Sequence, residues 1–179
     1  YYLSGMGYRI SGDITRGAEN ASINPVNEKS MSELFRCAVL CSTAAIHSDA
    51  AQKSRNRGSL KANGEWNVMG DPTEIALLVA AAKAGITNES LASGFRRKEE
   101  YPFDSETRFM AVLADTKSGK RLYFKGAEEV ILSRCSQIMD QDGSIIPMTA
   151  AEKRKISDKV IEMSDKALRV LAMAYCDTD

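Results

Sequence analysis

From Ser30 onward apolar residues recur at Met31, Leu34, Phe35, Ala38, Cys41 and Ala45, three and four positions apart. That is the period of a helix with one face toward a core, and the spacing predicts a helix from Ser30 to His47. Residues 1–12 read as a short strand and turn punctuated by Gly5, Gly7 and Gly12, and residues 13–28, with "NPVN", read as loop. A polar stretch runs to Gly64, followed by a short strand from Trp66 to Met69. "GDPTEIALLVAAAKAG" is a well-marked helix. Asp71 suits its N-cap and Pro72 its first position, where a missing N–H costs nothing. Glu74 can complete a capping box and Gly85 ends the helix. A short helix near Asn88–Ser93 follows.

Beyond it the period falls to two. "RRKEEYPF", "RFMAVLAD" and "KRLYFK" predict three successive strands, the last two joined by the hairpin-length turn "TKSG". Ala127–Cys135 predicts a short helix and "DQDGSIIP" a turn. Thr149 and Glu152 form a second capping-box pattern that opens an amphipathic helix to about Lys166. "ALRVLAMAY" closes the pattern as a buried strand. Antiparallel strands with helical pairs define an α+β fold, and residues 1–179 are expected to form one domain.

Composition narrows the function. Lys and Arg number 24 against 24 Asp and Glu, so no net field recommends nucleic acid or an acidic membrane as partner. The basic cluster Lys53, Arg55, Arg57 and Lys61 reads as a solvated loop. The longest apolar run, Ile75 to Ala82, is too short to cross a bilayer. The opening "YYLSGMGYRISG" carries no signal peptide and reads as the interior of a larger chain. Cys37, Cys41, Cys135 and Cys176 contain no C-x-x-C pair, which suits a reducing, cytosolic setting.

The candidate chemistry is sparse. Neither G-x-x-x-x-G-K-S/T nor G-x-G-x-x-G occurs. His47 is the single histidine, which argues against a histidine triad or a zinc centre, and it reads as hydrogen-bonding at a helix end. Cys37 and Cys41 share a helix face and read as core. Alternation in "ALRVLAMAY" puts Arg169, Leu171 and Met173 on one face, where a guanidinium amid apolar surface needs an anion or an internal salt bridge. Lys125 leaves the strand "RLYFK" on the face of Arg121 and Tyr123; the plain alternative is a surface lysine. Gly126 would let a flat ligand approach the backbone. Glu128 and Glu129 suit the positive end of the next helix and make it a poor phosphate site, which leaves phosphate to Lys125 and the arginines. Phe103, after Pro102, marks an edge where a ring could stack on a base, worth ~1–3 kcal/mol, or simply be one more core aromatic. Glu74 could accept from an exocyclic amino group, or only cap its helix.

"GDPTEIAL", "YPFDSETRFM", "FKGAEE" and "ALRVLAMAY", in that order, resemble the nucleotide-binding domain of P-type cation-transporting ATPases. The family's segments read close to G-D/E-x-T-E-x-A-L, F-x-S-x-x-K-x-M, K-G-A-P-E and A/G-L-R-x-L-A. The opening "SGMGYRISGDI" is similar to a glycine-containing stretch of the calcium and sodium/potassium pumps. The resemblance implies a twisted antiparallel sheet flanked by helical hairpins. It also implies ATP as ligand, with Mg2+ in the full-length pump. Phe103 would stack on adenine and Glu74 would meet its amino edge. Lys125 would line the adenine and ribose pocket with Gly126 beside it. Arg169 would face the phosphates and Leu171 would close one wall. Arg108 stands where the family has lysine and keeps the charge with a different shape, while Met110 matches. Glu128 replaces the family's proline, and Glu129 matches.

The phosphorylated aspartate of the family lies in a D-K-T-G-T segment, which does not occur here, nor do its magnesium-binding aspartates or transmembrane helices. The resemblance therefore implies a monomeric, cytoplasm-facing piece of a membrane pump that binds ATP without hydrolysing it. It would present the γ-phosphate to the aspartate of a separate phosphorylation domain, with the actuator domain as a further partner and no direct membrane contact. A regulatory or interaction module of the same fold without useful nucleotide affinity is the rival, and a self-contained enzyme lacks a nucleophile–base pair. The segments lie nearer the calcium, sodium/potassium and proton-pump branches than the heavy-metal branch, whose His-Pro motif is absent because Ser48 follows His47. Calcium is the ion the resemblance favours.

Overall fold

The computed structural model describes residues 1–17, 21–48, 60–62 and 66–178. Lys53, Arg55 and Arg57 of the basic cluster lie outside the described residues. The chain divides into two compact units, Tyr1–Ser93 and Gly94–Asp179. Both mix helices with antiparallel sheet, the expected α+β class.

The first unit begins with β1 (Tyr2–Leu3), β2 (Ile14–Arg16) and β3 (Ala21–Ser22), an antiparallel sheet in that order. Two of these strands lie in the stretch expected to be loop; Ile14, buried, anchors the second. A 3-10 turn at Pro25–Asn27 leads into α1 (Lys29–Leu40). Then come β4 (Ala45–Ser48), β5 (Leu60–Ala62), β6 (Trp66–Met69), α2 (Pro72–Lys83) and α3 (Asn88–Leu91), with strand order β4-β6-β5. Helices α1 and α2 pack together, and Met31, Phe35, Ala38 and Val39 join Ile75, Leu78 and Val79 in the core. The expected N-cap of α2 is present: Asp71 Oδ1 accepts from the N–H groups of Thr73 at 2.8 Å and Glu74 at 3.3 Å.

Helix α1 is shorter than the apolar period predicts, ending at Leu40 instead of His47. Beyond it the Ser42 hydroxyl donates back to the Ala38 carbonyl at 2.7 Å. The next two N–H groups, of Thr43 and Ala44, go to the Glu74 carboxylate, so they cannot extend the helical ladder. His47 therefore lies on β4, opposite Asn67, and not at a helix end.

The second unit is built on β7 (Phe95–Tyr101), β8 (Phe109–Thr116), β9 (Gly119–Gly126) and β12 (Ala172–Thr178), antiparallel throughout in the order β12-β9-β8-β7. Between β9 and β12 the chain forms α4 (Glu128–Arg134), the hairpin β10 (Gln137–Met139) and β11 (Ile145–Pro147), and α5 (Ala150–Ser164). The stretch expected to be only a turn thus includes a paired strand, β11. Met110, Val112, Ala114 and Tyr123 are buried on one face of the main sheet. On the other, Phe109 and Phe124 stand with ring centroids 5.9 Å apart, and Arg134 of α4 lies 5.4 Å from the Phe109 centroid.

"ALRVLAMAY" is not the buried strand its composition predicts. Helix α5 ends with Ala167 at φ +57°, Ala167 N–H bonding to Ser164 O at 2.8 Å and Leu168 N–H to Met163 O at 3.1 Å. This left-handed stop turns the chain before it can pair, and the strand starts only at Ala172. It is also an edge strand, with none of its residues fully buried. No helix among the described residues is long and apolar enough to cross a membrane.

Candidate functional site

Antiparallel pairing gathers the sequence-predicted site residues of the second unit at one end of its sheet. Strand β7 finishes at Tyr101, opposite Ala111. Strand β8 starts at Phe109, opposite Gly126, the last residue of β9, and β12 starts at Ala172, also opposite Gly126. Phe103 and Arg108 lie on the loop between β7 and β8. Met110, Lys125 and Gly126 are terminal positions of β8 and β9, and Arg169 and Leu171 lie on the approach to β12. Stretches far apart in sequence, 103–110, 125–126 and 169–171, converge because alternate strands run in opposite directions.

Phe103 is 63% exposed, so it is no core aromatic. Its loop is shaped by Asp104, whose Oδ1 accepts from the N–H groups of Glu106 at 2.7 Å and Thr107 at 3.0 Å. The Thr107 and Glu106 bonds hold the Asp104 carboxyl below its ordinary value. The Asp104 carbonyl then accepts from Arg108 N–H at 2.7 Å. Arg108 sits at φ +56°, a left-handed conformation that a non-glycine residue adopts only when its surroundings impose it. Its carbonyl accepts from Ala127 N–H at 3.0 Å, and its guanidinium pairs with the Glu129 carboxylate. Glu129 is held below the ordinary carboxylate range by its own main-chain N–H, by a hydrogen bond shared with Glu128, and by the Arg108 charge.

Gly126 serves a different purpose from the one its sequence context suggests. A Cβ built there would stand 2.5 Å from the Arg108 carbonyl oxygen and 2.6 Å from Phe109 Cβ. The space left by its missing side chain is thus filled by the neighbouring strand and not open to a flat ligand. Met110 is 2% exposed and forms part of the sheet's packing. Lys125, opposite Met110 and Met173, is only 7% exposed, which excludes the plain reading of a surface lysine. Arg169 is exposed, so the expectation that it is a charge set in apolar surface does not hold; Leu171 is half-buried.

Glu74 belongs to the first unit. Its Oε2 accepts from Thr43 N–H at 2.8 Å, Thr43 Oγ1 at 2.9 Å and Ala44 N–H at 3.0 Å. Its carboxylate therefore ties the start of α2 to the α1–β4 connection, across 31 positions of sequence. That link was invisible in the local capping pattern, as was the pairing of Arg108 with Glu129. A shallow cavity of about 330 Å3, lined in part by Lys29, Glu33 and Arg36, contains none of the predicted residues. Among the described residues no cluster of three or more His, Cys, Asp or Glu could hold a metal, and Cys37 and Cys41 are buried and form no disulfide.

The family described as P-type ATPase, cytoplasmic domain N, matches residues 30–179. A calcium-transporting ATPase of Bacillus subtilis is 32% identical over 174 residues, covering 97% of this chain and 18% of the relative. The cation-transporting ATPase pma1 of Synechocystis is 41% identical over 120 residues, 66% of this chain and 13% of the relative. A calcium-transporting ATPase 1 of Lactococcus lactis is 38% identical over 111 residues, 62% and 12% respectively. The chain thus spans at most 18% of the length of these relatives.

Proposed function

The chain belongs to the family of P-type ATPase cytoplasmic N domains, and from that premise we propose that it binds ATP and positions it for a separate phosphorylation domain. The observation that carries this reading is the convergence at one sheet end of an exposed aromatic, Phe103, with three cations, Arg108, Lys125 and Arg169. An exposed ring beside cations suits a ligand with a flat base and an anionic tail. Phe103 stacks on the adenine, Lys125 borders the base and ribose, and Arg108 and Arg169 attract the phosphates, while Gly126 lets the β8 backbone approach and does not itself face the base. Leu171 and Met110 supply apolar backing. The family resemblance alone assigns the adenine amino edge to Glu74.

Mg2+ enters with ATP as part of the substrate. Such a chain binds and orients but does not itself hydrolyse, because the sequence has no D-K-T-G-T segment. Its contribution in a pump is proximity: holding the γ-phosphate where the aspartate of the phosphorylation domain can attack. The pump's actuator domain, a cytoplasm-facing location and calcium as the transported ion belong to the same proposal, supported by the relatives' names.

Amide NMR titration with MgATP tests the reading. Saturable shifts at Phe103, Lys125 and Arg169 are expected, and Phe103→Ala should weaken binding by roughly 5- to 150-fold, the equivalent of one lost stacking contact. Absence of shifts at millimolar ATP would leave the fold standing and assign the chain to the interaction-module class.

A further inference from the structure

We propose that Glu129 sets the ligand selectivity of this site: its carboxylate holds the Arg108 guanidinium and yields it only to an anion more highly charged than itself. This rests on the nucleotide-binding reading above.

Arg108 is fixed by its backbone. Its N–H is bound to Asp104 O, its carbonyl to Ala127 N–H, and its φ is +56°. Ala127 is also the N-cap of α4, and Glu129 lies in the first turn of that helix. One backbone link therefore sets the spacing of the whole pair, and only the two side chains can move. The side chains are 51% and 49% exposed, so an incoming ligand can reach the guanidinium without opening the fold. An exposed pair of this kind is weak and can be displaced.

The neighbouring cations are placed differently. Lys125 is buried, and Arg134 lies over Phe109 and donates to the Val130 carbonyl at 3.0 Å. Arg108 is paired with a carboxylate, that of Glu129, a group chemically replaceable by phosphate. A triphosphate carries several charges and offers the planar guanidinium two parallel acceptors, so it can win the exchange. A neutral nucleoside cannot. After the exchange the Glu129 carboxylate remains close by and opposes the bound phosphates. Glu129 therefore weakens phosphate-bearing ligands in general, and leaves in place those held well enough by their remaining contacts.

The test measures ATP and adenosine affinity by calorimetry for the chain, for Glu129→Gln, for Arg108→Ala and for the double variant. Glu129→Gln should tighten ATP on the order of threefold and leave adenosine unchanged. In the Arg108→Ala background the same substitution should give a clearly smaller gain, since only relief of the carboxylate–phosphate repulsion remains without the freed guanidinium. An equal gain in both backgrounds would reduce the effect to a general loss of negative charge and overturn the proposal. Unchanged ATP affinity in Glu129→Gln, with ATP still binding, would overturn it as well while leaving the nucleotide reading intact. If neither ligand binds the parent chain, the nucleotide reading fails first and this inference fails with it.

Discussion

Replacing Glu74 with alanine should destabilise the first unit through the α1–β4 connection. Three donors converge on one oxygen: Thr43 N–H, Thr43 Oγ1 and Ala44 N–H, at 2.8, 2.9 and 3.0 Å. They are not equivalent. Thr43 is exposed, so water replaces its two bonds at little cost. Ala44 is 6% exposed, and a buried donor left without an acceptor costs about 1–3 kcal/mol. Loss of a negative charge from the first turn of α2 adds roughly 0.3–1 kcal/mol. The sum, about 1.3–4 kcal/mol, is a large fraction of the total stability of a domain, which is typically 5–15 kcal/mol. Glu74→Gln keeps an acceptor oxygen and should cost about half as much.

Urea unfolding read by circular dichroism gives the total, with a lower midpoint at unchanged slope. Hydrogen exchange of the Thr43 and Ala44 amides gives the local effect and should accelerate in Glu74→Ala. Wild-type stability within 0.5 kcal/mol, together with unaccelerated exchange at both amides, would refute the reasoning (the size of an inconsequential surface substitution is the threshold). The same variants separate the two roles proposed for Glu74. If it only ties the connection, Glu74→Gln weakens ATP and GTP equally. If it also meets the adenine amino edge, ATP loses more.

Ala167→Gly should stabilise the chain by about 1 kcal/mol, because glycine takes the φ +57° stop of α5 without the Cβ penalty; a lower melting temperature would contradict this. Gly126→Ala should cost roughly 1–3 kcal/mol or more, since its Cβ meets main chain at 2.5 Å; faster exchange of the Ala127 amide, which bonds to Arg108 O, would locate the damage. Glu162 is pushed down to about 2 by hydrogen bonds from Lys159 and Lys166. Because its folded value lies below the ordinary 4.5, its contribution to α5 is complete above that pH and is lost as pH falls toward 2. Helix content followed from pH 5 to 1.5 should show this component, and Glu162→Gln should remove it.

Much of the scaffold was legible in local pattern. The cap of α2 at Asp71, the β8–β9 hairpin around Gly119 and the cap of α5 at Thr149 each depend on neighbours within a few residues, and each was found where the spacing put it. The ordered motifs likewise pointed to the family, because they are strings of contiguous residues. The end of α1 was illegible, since what stops it is a carboxylate on α2. So was the burial of Lys125, because alternation along a strand says which residues share a face but not whether that strand is central or at an edge, and so was the exposure of Arg169, which lies between the α5 stop and the start of β12 and is not on a strand at all. Gly126 shows the same limit: only the approach of Arg108 and Phe109 decides what its missing Cβ makes room for. The sequence by itself determined the main helices, the β8–β9 hairpin, the caps at Asp71 and Thr149 and the family, all of which rest on short-range bonding and contiguous motifs. Tertiary structure alone decided the partners of Arg108 and Glu74 and the convergence of Phe103, Lys125 and Arg169, because strand order and register bring together residues whose separation along the chain has no local signature.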